Sequence, residues 1–145
     1  MNLFGVLDVS GSALSAERQR AEIVTSNLAN AETTHTASGG PYKRQMVVFE
    51  TSKPSSTFGR TLNGLQKEYA RGVTVQSIVA DNTPPLQRFE PSHPDADKQG
   101  YVSYPTINPV EEMAELMEAA RAYEMNVAAV QATKGMITAS LDILR

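Results

Sequence analysis

The last stretch of the chain, Asn108–Arg145, carries an apolar heptad repeat that constrains the fold more than any other feature. When residues are counted in sevens from Met113, every first and fourth position except Lys134 is apolar. These apolar positions, which we name the predicted seam, are Met113, Leu116, Ala120, Tyr123, Val127, Val130, Ile137, Leu141 and Leu144. A repeat of this length predicts one helix, about 55 Å long, that packs along a partner helix.

The residues before this repeat carry the signals of a helix start. Asn108 is a favourable N-cap residue, and Pro109 suits the first helical position because its missing N–H would have no partner there. Glu111 lies three residues after the cap, where its side chain can complete a capping box. We therefore expect the helix to begin at Asn108.

A second and weaker helix is predicted for Met1–Ala31. Its apolar stripe is interrupted by Ser10 and Glu17, and glycines at positions 5 and 11 each cost up to about 1 kcal/mol. The stripe belongs to the predicted seam and consists of Leu3, Leu7, Leu14, Ala21, Val24 and Leu28. We expect this helix to pair with the C-terminal helix as a coiled coil and to stop at Asn27, Asn30 and the threonines that follow.

The middle of the chain, residues 32–107, is predicted to be a small β-rich module between helical regions 1–31 and 108–145. β-Branched residues and alternation indicate strands at Tyr42–Glu50 and Gly72–Ala80, and Leu86–Glu90 is expected to pair back. Composition predicts loops at Ser52–Arg71 and Pro91–Pro105. The predicted fold class is therefore α+β, with long terminal helices and a β-rich middle.

Composition excludes several classes of function. A net charge of −3 provides no basic surface for nucleic acid. The absence of cysteine excludes disulfides and thiolate chemistry. No apolar run approaches the length that crosses a membrane, and the first residues do not have the pattern of a secretory signal. If the protein leaves the cytoplasm, we expect it to do so without a cleaved leader.

No catalytic motif is present, and we predict no catalytic residue, cofactor or metal. The polar run from Asp95 to Gly100 partly matches a calcium loop, with oxygen ligands at its first, third and fifth positions. Its twelfth position is Thr106, where a bidentate glutamate is required, and nearby prolines prevent the entering helix. Side chains of this kind before proline and glycine more often hold a tight turn through nearby backbone N–H groups.

Two segments resemble bacterial flagellar axial proteins, the family of rod, hook and hook-associated subunits. Ser26–Ala31 (SNLANA) resembles their N-terminal signature, and Pro91–Asn108 (PSHPDADKQGYVSYPTIN) resembles the proximal rod proteins of the C type. The tail from Val110 to Val127 fits the same group, whereas Thr106-Ile107 departs from its usual Asn-Val. The residues carrying the resemblance are Asn27, Leu28, Ala29, Asn30, Ser92, His93, Pro94, Asp95, Asp97, Gly100 and Tyr101.

The resemblance implies a structural subunit of the flagellar basal-body rod, whose terminal helices form the inner layer of a helical tube. That tube would transmit torque and conduct exported subunits. Implied partners are further copies, other rod proteins, proteins at the junction of membrane ring and rod base, and the flagellar type III export apparatus. The implied location is the periplasmic rod, reached without a cleaved signal.

Two other functions remain open from the residues alone. A periplasmic wall-processing enzyme would need two carboxylates across a cleft, and Asp95 and Asp97 lie only two residues apart on a turn. A soluble coiled-coil adaptor would use the same helices without the flagellum.

Overall fold

The computed structural model describes residues 3–52 and 71–143. The elements in chain order are α1 (Leu3–Ala29), β1 (Gln45–Thr51), β2 (Val73–Ala80), β3 (Leu86–Phe89), β4 (Tyr101–Tyr104) and α2 (Pro109–Ile143). Two long helices therefore flank a small β-rich middle, which confirms the predicted α+β class. Most of the predicted loop Ser52–Arg71, and Leu144 of the predicted seam, lie outside the described residues.

The start of α2 follows the predicted signals. The Asn108 side-chain oxygen accepts a hydrogen bond from the Val110 backbone N–H at 3.1 Å. The Glu112 N–H donates to the Asn108 carbonyl at 3.1 Å, which closes the first helical turn. Asn108 is thus the N-cap of α2, as predicted, because it satisfies an N–H group that has no partner inside the helix.

The two helices pack against each other and run in opposite directions. Arg20 of α1 donates to Glu118 of α2, and further along α1 Asn27 donates to Glu112. As α1 advances towards its C-terminal end, its partners on α2 therefore move back towards the start of α2. Extended along both helices, this register places the start of α1 beside the region of Met136, and the last two turns of α2 continue beyond it.

The packed surface of α2 differs from the predicted seam by one residue in part of its length. Glu112, Ala119 and Thr133 are each only 1% exposed, and each precedes a first heptad position of the prediction. The packed surface departs from the predicted seam because Glu112 and Thr133 reach hydrogen-bond partners there. Alanine at position 119 permits close approach of the helices. On α1, Ser10 is 5% exposed and the Glu17 side chain 17%, so the polar interruptions of the stripe also face inward.

Four strands form two separate antiparallel hairpins rather than one sheet. β1 pairs with β2, with an irregularity between Val48 and Phe49, and β3 pairs with β4. The first two strands confirm the prediction. The third strand was expected to pair back onto them, but it pairs with β4 instead. The prediction of a loop over Pro91–Pro105 was partly wrong. The prolines of this segment indicated a loop, but Tyr101–Tyr104 forms a short strand that pairs with β3.

The β1–β2 hairpin lies against α1 through a close backbone contact. The Ser12 hydroxyl donates to the Val9 carbonyl at 2.8 Å and accepts from the Val73 N–H at 3.0 Å. Gly72 stands directly beside this hydroxyl, and a Cβ atom at Gly72 would overlap it. The absence of a side chain at Gly72 therefore lets the hairpin reach α1.

We expect Gly72→Ala to lower the free energy of unfolding by about 1–3 kcal/mol, because the new methyl group displaces Ser12 and leaves Val73 without its partner. Thermal unfolding followed by circular dichroism measures the effect. Gly11→Ala is the matched control, because a Cβ atom there meets nothing within 4 Å. Inside helix α1, Gly11→Ala should leave the free energy of unfolding unchanged or raise it by up to about 1 kcal/mol. An equal loss in both variants would contradict the close-contact explanation.

Candidate assembly site

The Asn27 side chain joins the end of α1 to the start of β1. Its amide nitrogen donates to the Gln45 carbonyl at 2.8 Å, and its oxygen accepts from the Gln45 N–H at 2.9 Å. The same oxygen accepts from the Tyr42 hydroxyl at 3.1 Å. Asn27 thus bonds to both backbone groups of one residue, as a neighbouring strand would. Asn27 does not end the helix as predicted, because its side chain bonds to the backbone of β1.

Glu112 of α2 completes this cluster and brings a negative charge into it. Its carboxylate accepts from the Asn27 amide at 3.0 Å and, through the other oxygen, from Arg44. The Arg44 guanidinium also donates to Glu115 at 2.7 Å. We name Asn27, Arg44, Gln45, Glu112 and Glu115 the polar junction. It connects α1, α2 and the residue that precedes β1.

Two opposing effects set the pKa of Arg44. Burial alone would lower it, since a desolvated guanidinium loses hydration. Hydrogen bonds and the negative charges of Glu112 and Glu115 outweigh burial, and the pKa of Arg44 is raised from its ordinary value. Arg44 therefore stays a cation, which the almost fully buried Glu112 carboxylate requires.

The predicted seam divides into residues that contact the body of the subunit and residues that remain exposed. Val24 is buried. Half-buried positions are Leu3, Leu7, Leu14, Ala21, Leu28, Leu116, Val127, Val130 and Ile137. Met113 is 52% exposed, Tyr123 42% and Leu141 61%, and Ala120 is also exposed. The sequence pattern therefore combines two surfaces, one facing α1 and one facing outward.

The side of α2 opposite α1 is also apolar. We name it the rear face of α2, and its exposed members are Val110, Met117, Met125, Ala128, Ala132, Met136, Ala139 and Ile143. These residues recur at intervals of three or four residues, or of seven or eight, so they lie on one side of the helix. Sequence analysis missed them because only one heptad stripe was traced; the run of methionines and alanines was the available signal.

The outward face of α1 has the opposite character. Its exposed residues include Asp8, Ser15, Arg18, Glu22 and Thr25. Arg18 and Glu22 form an ion pair at 2.9 Å one helical turn apart. The helix pair is therefore asymmetric. The outer surface of α1 is mostly polar apart from Phe4, and that of α2 is largely apolar but interrupted by the exposed Arg121.

The segment between β3 and β4, which carries most of the family-like motif, is a hydrogen-bonded turn. One Asp97 carboxylate oxygen accepts from the N–H groups of Gln99 at 2.8 Å and Tyr101 at 2.9 Å. Asp95 accepts from the Thr34 hydroxyl at 2.6 Å, which ties the turn to the loop after α1. The interpretation as a turn residue that bonds to nearby backbone N–H groups is therefore confirmed for Asp97, whereas Asp95 bonds to the distant Thr34 side chain.

Glycine is required at the end of this turn. Gly100 has a φ of 85°, in the left-handed region that side chains rarely adopt. A Cβ atom there would also lie 2.9 Å from the Phe89 ring. That ring packs edge-on against Tyr101 at 5.4 Å, so the motif residues Gly100 and Tyr101 shape the hairpin itself.

Other motif residues also have structural positions. Asn30 donates from its side chain to the Ser26 carbonyl at 2.9 Å, which caps the last turn of α1. His93 accepts through Nδ1 from the Asp95 N–H at 3.1 Å. Leu28 is half-buried, whereas Ala29, Ser92 and Pro94 are exposed.

Within residues 3–52 and 71–143, no group of three or more metal-binding side chains is brought together. No helix in that part of the chain combines the length and hydropathy needed to span a membrane.

Family models match the two regions that carry these features. Residues 7–34 match the model described as "Flagella basal body rod protein", which includes α1 and the SNLANA motif. Residues 98–143 match "Flagellar basal body rod FlgEFG protein C-terminal", which includes β4 and α2. Both models describe flagellar rod proteins, and they cover the helices that the polar junction holds together.

Curated relatives extend the similarity to the whole chain. Flagellar basal-body rod protein FlgC of Borreliella burgdorferi is 36% identical, over 100% of this chain and 99% of the relative. The protein of the same name from Bacillus subtilis is 39% identical over 99% of each chain. That of Escherichia coli O157:H7 is 34% identical over 99% of this chain and 98% of the relative. The chain belongs to the FlgC family of flagellar basal-body rod proteins.

The family assigns the protein to the flagellar basal body as a structural subunit of its rod, which assembles with other basal-body proteins. It is not an enzyme, so the wall-processing alternative is set aside. The resemblance noted in the sequence is thereby confirmed.

We expect the turn at Asp95–Gly100 to be independent of calcium, because the Asp97 oxygen is already used by two N–H groups. Asp97→Ala should lower the free energy of unfolding by about 1 kcal/mol, and Asp97→Asn by less, since asparagine keeps an accepting oxygen. Thermal unfolding with and without millimolar calcium measures both effects. A calcium-dependent rise in the parent's melting temperature that Asp97→Ala abolishes would contradict this assignment.

Proposed function

We propose that the rod subunit assembles into a helical tube by burying the outer apolar surfaces of α2 against neighbouring subunits. The observation that carries this proposal is that α2, besides its contact with α1, exposes large apolar side chains on its rear face, among them Met117, Met125 and Met136. A cluster of exposed apolar side chains marks a surface that contacts another molecule. We take that molecule to be a neighbouring subunit, because proteins of this family assemble with other basal-body proteins.

The exposed side chains on α2 are large enough to stabilise an interface. Met125 is 66% exposed, Met117 57% and Met136 52%. Methionine adapts to irregular neighbouring surfaces, and each fully buried side chain contributes about 1.5–3 kcal/mol. Alanines between the methionines allow another helix to approach closely.

The character of the contact is heterologous, meaning that two different surfaces meet. The rear face of α2 in one subunit packs against the exposed seam residues of the next, including Met113, Ala120 and Tyr123. A heterologous contact whose rotation does not close produces a helical assembly. The polar outer face of α1 is a poor partner for this surface, because its charged groups would lose hydration.

The wider setting of the tube follows from the family resemblance. The subunit lies in the periplasmic part of the rod, contacts further copies and other rod proteins, and adjoins the proteins at the rod base and membrane ring. It leaves the cytoplasm through the flagellar type III export apparatus without a cleaved signal. The assembled tube transmits torque and conducts exported subunits, and the terminal helices form its inner coiled-coil layer.

Met125→Glu tests the proposed surface directly. In the free subunit the new carboxylate lies in solvent, so the melting temperature should change little. In the assembly it would be buried without a partner, which should cost about 2 kcal/mol or more, or about 30-fold in association. We expect cells that depend on this variant to be non-motile and their isolated basal bodies to lack the subunit.

Two variants serve as controls for the same experiment. Met125→Leu keeps the apolar volume and should support motility. Ser15→Glu places the same charge on the polar outer face of α1 and should also be tolerated. Motile cells whose basal bodies contain the Met125→Glu subunit would show that the rear face of α2 is not an assembly surface.

A further inference from the structure

The β1–β2 hairpin touches α1 but not α2 through its backbone. Within the described residues, both strands lie against α1, and neither strand lies close to α2. The connection to α2 is made by the Arg44 side chain, which immediately precedes β1 and reaches Glu112 and Glu115. The Arg44 side chain therefore links the approach to the hairpin with the second helix.

The Asn27 amide is fully used at this point. A primary amide offers two N–H donors and an oxygen with two lone pairs. Its donors go to the Gln45 carbonyl and the Glu112 carboxylate, and its oxygen accepts from Gln45 and Tyr42. Asn27 thus bonds to the hairpin and to α2 at the same time.

Glu112 makes the docking of the hairpin and the pairing of the two helices depend on each other. Its side chain is 1% exposed, and α1 covers it only when the two helices are paired. If the hairpin left its position, Arg44 would leave with it and the carboxylate would stay buried without that cation. Removing one partner from a buried ion pair is strongly unfavourable, because the remaining charge is uncompensated.

We propose that the polar junction couples hairpin docking to helix pairing, so that α1 and α2 pair stably only when the hairpin occupies its place. The orientation of the hairpin on the helix pair is then fixed in every subunit whose helices are paired. Asn27, Arg44 and Glu112 are positioning residues in this sense. The coupling acts inside one subunit and goes beyond the proposed assembly surface.

A pair of neutralising substitutions tests the coupling. Arg44→Gln should weaken helix pairing although Arg44 belongs to neither helix, because it leaves the Glu112 carboxylate buried without a cation. We expect hydrogen exchange of the α2 amides facing α1 to accelerate about 100-fold in the purified subunit. Glu112→Gln added to this variant removes the buried charge, and exchange should return to within about threefold of the parent.

The hairpin should respond differently from the helices. Glu112→Gln alone releases the hairpin, so the amides of β1 should exchange faster while those of α2 stay protected. The chain has no cysteine, so labels at Ser15→Cys and Ser77→Cys report the distance between α1 and β2. The distribution of this distance should be narrow in the labelled parent and broad in the labelled Glu112→Gln variant.

Thr133→Val is the control, since Thr133 is equally buried in the helix pair but bonds only to the Ala129 carbonyl at 2.8 Å. It should leave the hairpin distance narrow. The proposal is overturned if Arg44→Gln leaves α2 protected, if the double variant is no better than Arg44→Gln, or if the parent itself lacks protection at the junction. Should Arg44→Gln unfold completely, recovery of the fold in the double variant supports the coupling and its failure excludes it.

Discussion

The buried carboxylate of Glu112 is the constraint on which the arrangement of this subunit depends. An ionised side chain with 1% exposure needs a cation and a hydrogen-bond donor, and here they come from different parts of the chain. Arg44 supplies the charge from the approach to β1, and Asn27 supplies the N–H from α1. Apolar contacts alone leave many relative positions of three elements almost equally stable, whereas this geometry is satisfied in one of them.

The asymmetry of the helix pair links that internal arrangement to the rod. The α2 residues that are almost fully buried are small or polar (Glu112, Ala119 and Thr133), whereas the methionines of α2 are exposed. This distribution is the reverse of an ordinary globular protein, where large apolar side chains lie inside. It is reasonable for a subunit whose apolar surfaces become interior only after neighbours are added.

Sequence analysis predicted where the helices and strands lie better than it predicted which of their residues pack together. Capping signals located the start of α2, and β-branched residues located β1 and β2, because these signals are local. It did not find β4, whose four residues are surrounded by prolines, or the roles of Asn27, Arg44 and Glu112. Those roles depend on residues 18, 68 and 85 positions apart meeting in space, which no local pattern records.

The position of the paired helices at opposite ends of the described chain also affects how the subunit folds. Pairing Ala29 with the start of α2 closes a loop of about 80 residues, at an entropic cost of about 4 kcal/mol beyond a constant term. The hairpin β3–β4 needs a far shorter closure, so it is expected to form early, and the helix contacts of high sequence separation late. A ribosome must release nearly the entire chain before α1 meets its partner. Until then the newly made α1 lacks the helix that covers its packed face in the finished subunit.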